Sequence, residues 1–134
     1  MKLATVVAMN VPDDLLYSTD HEWIQLSANH ARIGITDYAQ DALGDVVYVQ
    51  VPEVGTEVTV GQSFSEVEST KSVSDIYAPV AGVVVEVNVE LGSNPGAVNA
   101  DPYGSGWLCV IEMSESGGAG QLLDASAYRA LTES

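Results

Sequence analysis

Positive charge is scarce in this chain of 134 residues: Lys2, Arg32, Lys71 and Arg129 stand against 19 Asp and Glu, a formal net charge of −15. So acidic a surface repels phosphate backbones and anionic membrane surfaces, which argues against nucleic acid and membrane as partners. Proteins with basic patches are the expected partners instead. Cysteine occurs once, at Cys109, which excludes an internal disulfide and any CxxC metal or redox pair and suits a reducing compartment. Histidine occurs only at His21 and His30. No apolar run approaches the roughly 18 residues of a membrane span. The opening MKLATVVAMNV lacks a convincing signal-peptide cleavage site and the arginines of a mitochondrial presequence. A cytoplasmic, bacterial protein is the expectation.

What is present indicates a folded chain. Hydrophobic residues make up 46% and charged residues 17%, too apolar for a disordered acidic tail, so the acidity decorates a folded surface. The length suits one domain spanning residues 1–134, with no linker and no low-complexity tract.

Strand patterns dominate. EWIQLSA (22–28) alternates, and ARIGI (31–35) follows a turn at Asn29-His30, so the two read as a hairpin. DVVYVQV (45–51) is β-branched and aromatic. Residues 57–60, 63–68, 76–80, 83–89 and 106–113 add five short strands separated by Gly- or Pro-containing turns. Short strands with turns at this spacing predict a mainly β sandwich or barrel. Two helical patches interrupt them. TDYAQDALG (36–44) has Thr36 as N-cap, Asp37 in the first turn and Gly44 where a C′ glycine belongs; LLDASAYRAL (122–131) forms a C-terminal helical segment with Asp124 as cap. Gly117-Gly118-Ala119-Gly120 before it is a flexible join.

The segment VESTKSVSD (67–75) places Lys71, the single lysine beyond the N-terminus, between two mostly alternating arms. A tip of small hydroxyl residues around one cation resists burial, so Lys71 is expected to project into water from a hairpin. A solvated hairpin lysine is ordinarily unremarked; here the flanks decide. The stretch FSEVESTKSVSDIYAPVAGVVVEVN (64–88) closely resembles the lipoyl-lysine motif of the glycine cleavage system H proteins. His21-Glu22-Trp23, GITDYAQ (34–40), ALGD (42–45) and PEVG (52–55) follow that family in order upstream. VNADPYG (98–104), Gly106-Trp107-Leu108, Leu123-Asp124-Ala125 and Ala127-Tyr128 follow it downstream, so the resemblance spans roughly residues 12 to 131.

The resemblance implies a lipoyl/biotinyl-type barrel-sandwich hybrid of two small antiparallel sheets with short helices. It implies lipoate joined by an amide to Lys71, in a carrier that is not an enzyme. The dithiolane would accept an aminomethyl group at glycine decarboxylase (the P protein) and deliver it to aminomethyltransferase (the T protein). Dihydrolipoamide dehydrogenase (the L protein) would then reoxidise the dithiol. Lipoylating enzymes are further partners, and a monomer is expected. In lipoyl domains a Glu three residues before the lysine and a Gly eleven after it are associated with recognition by those enzymes; here they are Glu68 and Gly82. The physical reading is a carboxylate on the strand entering the hairpin and a glycine allowing a sharp turn beneath it.

Residue chemistry agrees. An ordinary exposed lysine is protonated at neutral pH, about three units below its pKa. Activation therefore falls to an attaching enzyme working on an acyl adenylate, and the hairpin need only present the amine. No nucleophile-base pair, metal cluster or phosphate-binding glycine loop supports intrinsic catalysis. His21-Glu22-Trp23 reads as packing and hydrogen bonding; the resemblance adds a role in a cleft that stows the loaded arm. Cys109, in WLCVIEM, reads as a small core hydrophobe, and residues 99–104 as a turn. Ala97 and Ala81 depart from the family, which commonly has Leu and Ser there. A lipoyl-relay role, a biotin carrier and an unmodified acidic binding module are the competing readings; biotin carriers expect methionines where Thr70 and Ser72 stand.

Overall fold

The computed structural model describes residues 10–114 and 122–133. Among the described residues, nine strands form two antiparallel sheets. Strands β1 (Leu16–Tyr17), β2 (Glu22–Ser27), β3 (His30–Ile35), β5 (Glu57–Val58), β8 (Gly82–Val87) and β9 (Cys109–Met113) build a six-stranded sheet in the order β1-β2-β3-β9-β8-β5. Strands β4 (Val46–Gln50), β6 (Ser63–Ser69) and β7 (Val73–Tyr77) build a three-stranded sheet in the order β4-β6-β7. Helices α1 (Asp37–Leu43), α2 (Ala97–Ala100) and α3 (Ala125–Glu133) and a 3-10 turn at Val89–Gly92 complete the described elements. The mainly β, two-sheet expectation holds.

The alternation that defines the strands also builds the core. Val46, Val49, Val67 and Ile76 of the small sheet pack with Ile35, Leu91, Val98 and Leu108. Ile24, Ile33, Val84, Cys109 and Ile111 form a second cluster from the large sheet, and Phe64 of β6 touches both. Burying an Ile, Leu or Val side chain contributes about 1.5–3 kcal/mol. A third cluster joins Tyr17, Trp23 and Tyr128, with the two tyrosine rings stacked at 4.7 Å. Cys109 is fully buried as expected, and burial pushes its thiol up to about 12.

Helix α1 carries the expected caps: Thr36 Oγ1 accepts from Ala39 N at 3.2 Å, and Gly44 N donates to Gln40 O. Asp124 caps α3 by accepting from Ala127 N at 2.8 Å, but the helix starts at Ala125 because Leu123 is held in a bridge with Tyr17. Other expectations shift as well: the strands placed at 57–60 and 83–89 run over Glu57–Val58 and Gly82–Val87, with Val89 in the 3-10 turn. The strand placed at 76–80 runs instead over Val73–Tyr77, since the hairpin tip is tight enough for pairing to resume at Val73. The strand placed at 106–113 starts only at Cys109, because Gly106 and Trp107 N–H groups donate to Asp101 and Gly104 carbonyls in a turn. The turn placed at 99–104 begins inside α2, so Asn99 is helical and the turn starts at Asp101. The glycine-rich join at 117–120 lies outside the described residues.

Candidate functional site

Strands β6 and β7 pair antiparallel, with Glu68 opposite Val73 and Val67 opposite Ser74, and turn through Thr70 and Lys71. Ser69 organises that turn. Its N–H donates to Ser72 O at 2.8 Å, and its Oγ accepts from the N–H groups of Lys71 and Ser72, each at 3.1 Å. Thr70 N donates to Asp45 O at 3.0 Å, which pins the tip to the start of β4. The hydroxyl-rich flanks thus satisfy the backbone of a turn that water would otherwise solvate. Lys71 is exposed at this tip, as the sequence predicts.

The Lys71 side chain lies across Gly44. A Cβ built on Gly44 would stand 3.1 Å from Lys71 Cε and 3.8 Å from Nζ. Gly44 has φ +83 and ψ −159, a conformation that L side chains rarely adopt. Asn99 holds the loop in place: its Nδ2 donates to Gly44 O at 2.9 Å and to Gln40 Oε1 at 3.0 Å, while its Oδ1 accepts from Val46 N at 2.8 Å. Sequence reading finds Gly44 as a helix terminator but not as the surface under the lysine. It takes Asn99 for a turn residue, and only the Asn side chain's mixed donor and acceptor character hints at this bridge.

A cleft of about 320 Å³ opens between α1 and β7, lined among others by Asp20, His21, Tyr38, Leu43, Ser72 and Asp75. Its rim therefore begins at the residue after Lys71. His21 has φ 69, stacks on Tyr38 at 4.7 Å, and its Nδ1 hydrogen-bonds the Tyr128 hydroxyl at 2.7 Å. That hydroxyl also bonds Thr36 Oγ1 at 2.8 Å, so the helix cap, α3 and the cleft share one network. Burial lowers the His21 pKa, opposed by Asp20, and pushes the Tyr128 phenol up to about 12.

Glu22 is 1% exposed. Its carboxylate accepts from Ser18 Oγ at 2.5 Å and from Tyr77 N at 3.2 Å, linking β2 to the end of β7. Burial pushes its pKa up to about 7 against the pull of those hydrogen bonds. Trp23 Nε1 donates to Pro102 O at 2.9 Å, with its indole over Gly34. The packing reading of His21-Glu22-Trp23 fits all three, and His21 also reaches the cleft. A larger concavity, about 750 Å³, lies on the outer face of the six-stranded sheet beside Gln25, His30, Arg32 and Glu86, and shares no lining residue with the cleft.

The two residues paired with Lys71 by sequence spacing part company in space. Glu68 lies on the hairpin itself, whereas Gly82 lies in the other sheet, paired with Val58 on one side and Met113 on the other. Gly82 does not make the expected turn. It sits at the start of β8, where a Cβ would overlap the carbonyl oxygen of Glu112 and come within 2.9 Å of Ile111 Cγ2. Close backbone approach explains the glycine.

The two-sheet fold thus presents an exposed lysine at a hydrogen-bonded hairpin tip beside a cleft. The model of the glycine cleavage H-protein family matches residues 15–134. The glycine cleavage system H protein of Mycolicibacterium vanbaalenii is 57% identical over 124 residues, covering 90% of this chain and 95% of its own length. That of Mycobacterium avium is 55% identical over 130 residues, covering 92% and 98%. The crystal structure of a glycine cleavage system H protein from Mycobacterium marinum superposes with a TM-score of 0.85 at 45% identity, covering 92% of this chain and all of that one. The chain belongs to the glycine cleavage H-protein family. It is a carrier component of the glycine cleavage system and does not itself catalyse the reaction.

Proposed function

We propose that Lys71 is the attachment point of lipoate and that this single-domain chain works as a monomer in the cytoplasm. The observation that carries the reading is the exposed lysine at the tip of the Ser69-organised turn, with a cleft beginning at its next residue. Held on Lys71, lipoate would supply a sulfur pair able to carry the glycine-derived aminomethyl group between glycine decarboxylase and aminomethyltransferase, with dihydrolipoamide dehydrogenase as the partner that would restore the disulfide.

The chain's own residues do the positioning. In attachment, the lysine ammonium loses one proton to free the amine, whose nitrogen forms a C–N bond with the acyl carbon of lipoyl adenylate and sheds a second proton, while the acyl–phosphate bond breaks to release AMP. Replacing an ammonium by a neutral amide takes the formal charge from −15 to −16. Glu68 on the entering strand serves recognition by the lipoylating enzyme, whereas Gly82 at the base of β8 serves it indirectly, by allowing the close β8–β9 pairing of the sheet behind the hairpin. The cleft beside Tyr38 and His21 receives the arm between visits, and tethering raises the arm's effective concentration at each partner.

Intact-mass analysis after expression with lipoate tests the attachment. The chain is expected to gain one lipoyl increment and Lys71→Arg none; an increment retained by Lys71→Arg overturns the site. Reconstituted glycine decarboxylation then distinguishes this role from transfer of lipoyl groups to other proteins.

A further inference from the structure

The outer face of the three-stranded sheet carries apolar side chains next to the lysine turn. A register irregularity between Val46 and Tyr48 turns two consecutive residues outward: Val47 is 53% exposed and Tyr48 48%. Bulges commonly re-aim side chains in this way. Tyr48 lies opposite Glu68, and Glu68 opposite Val73, which is 58% exposed. On this outward face the row nearest the lysine turn therefore reads Tyr48, Glu68, Val73, with Val73 two residues from Lys71. The next row reads Gln50, Glu66, Asp75. Like charges directly opposite across strands destabilise a sheet. The ion pairs recorded among the described residues, His30–Glu112 and Arg129–Asp13, engage neither Glu66 nor Asp75. A cationic partner would relieve that repulsion, and the Tyr48–Val73 row offers it an apolar floor.

We propose that this face is the landing surface of the lipoylating enzyme, with basic side chains over Glu66 and Asp75 and an apolar contact on Val47, Tyr48 and Val73. This rests on attachment at Lys71. The occupant follows from reach: a bare lysine extends only one side-chain length, so the enzyme that acylates it must close on the residues flanking the turn. Partners served by the finished arm can dock farther away. Glu68 then works within a mixed patch, its carboxylate bracketed by Tyr48 and Val73.

The test uses the full chain, a lipoate ligase, lipoate and ATP, with modification at Lys71 followed by intact mass. Tyr48→Ser combined with Val73→Ser is expected to lower kcat/KM for modification by about tenfold, mainly through KM. Glu66→Gln with Asp75→Asn is expected to raise KM and flatten its salt dependence. Val54→Ser, at an exposed valine elsewhere, is expected to leave the rate unchanged. In the unreactive Lys71→Arg background, the Tyr48→Ser, Val73→Ser pair is expected to weaken ligase binding by a similar factor, independently of chemistry. Wild-type rates and binding in variants that keep the parent's circular dichroism and melting temperature overturn the landing surface alone. Failure of the unaltered chain to gain mass at Lys71 overturns the attachment reading with it.

Discussion

Lys71 rests on Gly44: the lysine that crowns the β6–β7 hairpin passes within 3.1 Å of where a Cβ on the α1–β4 glycine would stand. The helix terminator and the hairpin lysine are thus one structural unit, held by Asn99 on one side and by the Thr70 N–H to Asp45 carbonyl bond on the other.

Gly44→Ala should cost about 1–3 kcal/mol of stability, because φ +83 with ψ −159 strains any L side chain. The methyl group meets only the flexible end of Lys71, so the lysine can move aside. Urea unfolding checks the first expectation. Intact mass after lipoylation checks the second, with modification persisting in the folded fraction.

Glu22 should make stability fall with rising pH. Its folded pKa, about 7, lies above the ordinary 4.5, so the native state holds the proton more tightly. The associated stability is present in full below about 4.5 and is lost as pH rises through about 7. His21 acts oppositely, since its lowered pKa makes stability rise as pH climbs through the ordinary range of an imidazole. Melting Glu22→Gln alongside the parent across pH 4.5 to 8.5 separates them. The parent should lose ground relative to the variant as pH rises; a constant gap would assign Glu22 an ordinary acidity.

Thr36→Val removes both an N-cap acceptor and the partner of a buried phenol. The cap alone is worth about 1 kcal/mol, and the lost Tyr128 contact adds to it. A loss of about 1–3 kcal/mol in denaturant titration is expected. Tyr128→Phe should cost less while altering the His21 imidazole resonances, because His21 Nδ1 then loses its phenolic partner.

Gly82→Ala should act through the fold. Its Cβ has nowhere to go beside the Glu112 carbonyl, so β8 must part from β9. Reduced lipoylation in step with a lowered melting temperature is expected. Reduced lipoylation at an unchanged melting temperature would instead give Gly82 a direct part in recognition.

Much of this was legible in residue order. Periodicity located the principal strands, Thr36 and Gly44 bounded α1, and the hydroxyl flanks of Lys71 announced an exposed turn. What stayed hidden depended on pairing between distant segments. Two-residue β1 has no periodicity to read, and exists through its ladder with β2 and the Tyr17–Leu123 bridge. Asn99 and Gly44 lie 55 positions apart in sequence, so no local pattern joins them. The outward pair Val47 and Tyr48 breaks strict alternation because of a register shift that only the partner strand β6 defines. Gly82 looked like a turn former because a glycine's steric role against another strand is silent in its own neighbourhood.

The Ser69 hydroxyl has an entropic consequence. Ordering a backbone residue costs about 1–2 kcal/mol, and the N–H groups of Ser69, Thr70, Lys71 and Ser72 are all engaged in the free protein. That cost is met during folding, not on encounter. A partner closing on the tip therefore meets a backbone that is already ordered and restricts side-chain rotors alone, so the hairpin behaves as a fixed pivot for its lysine.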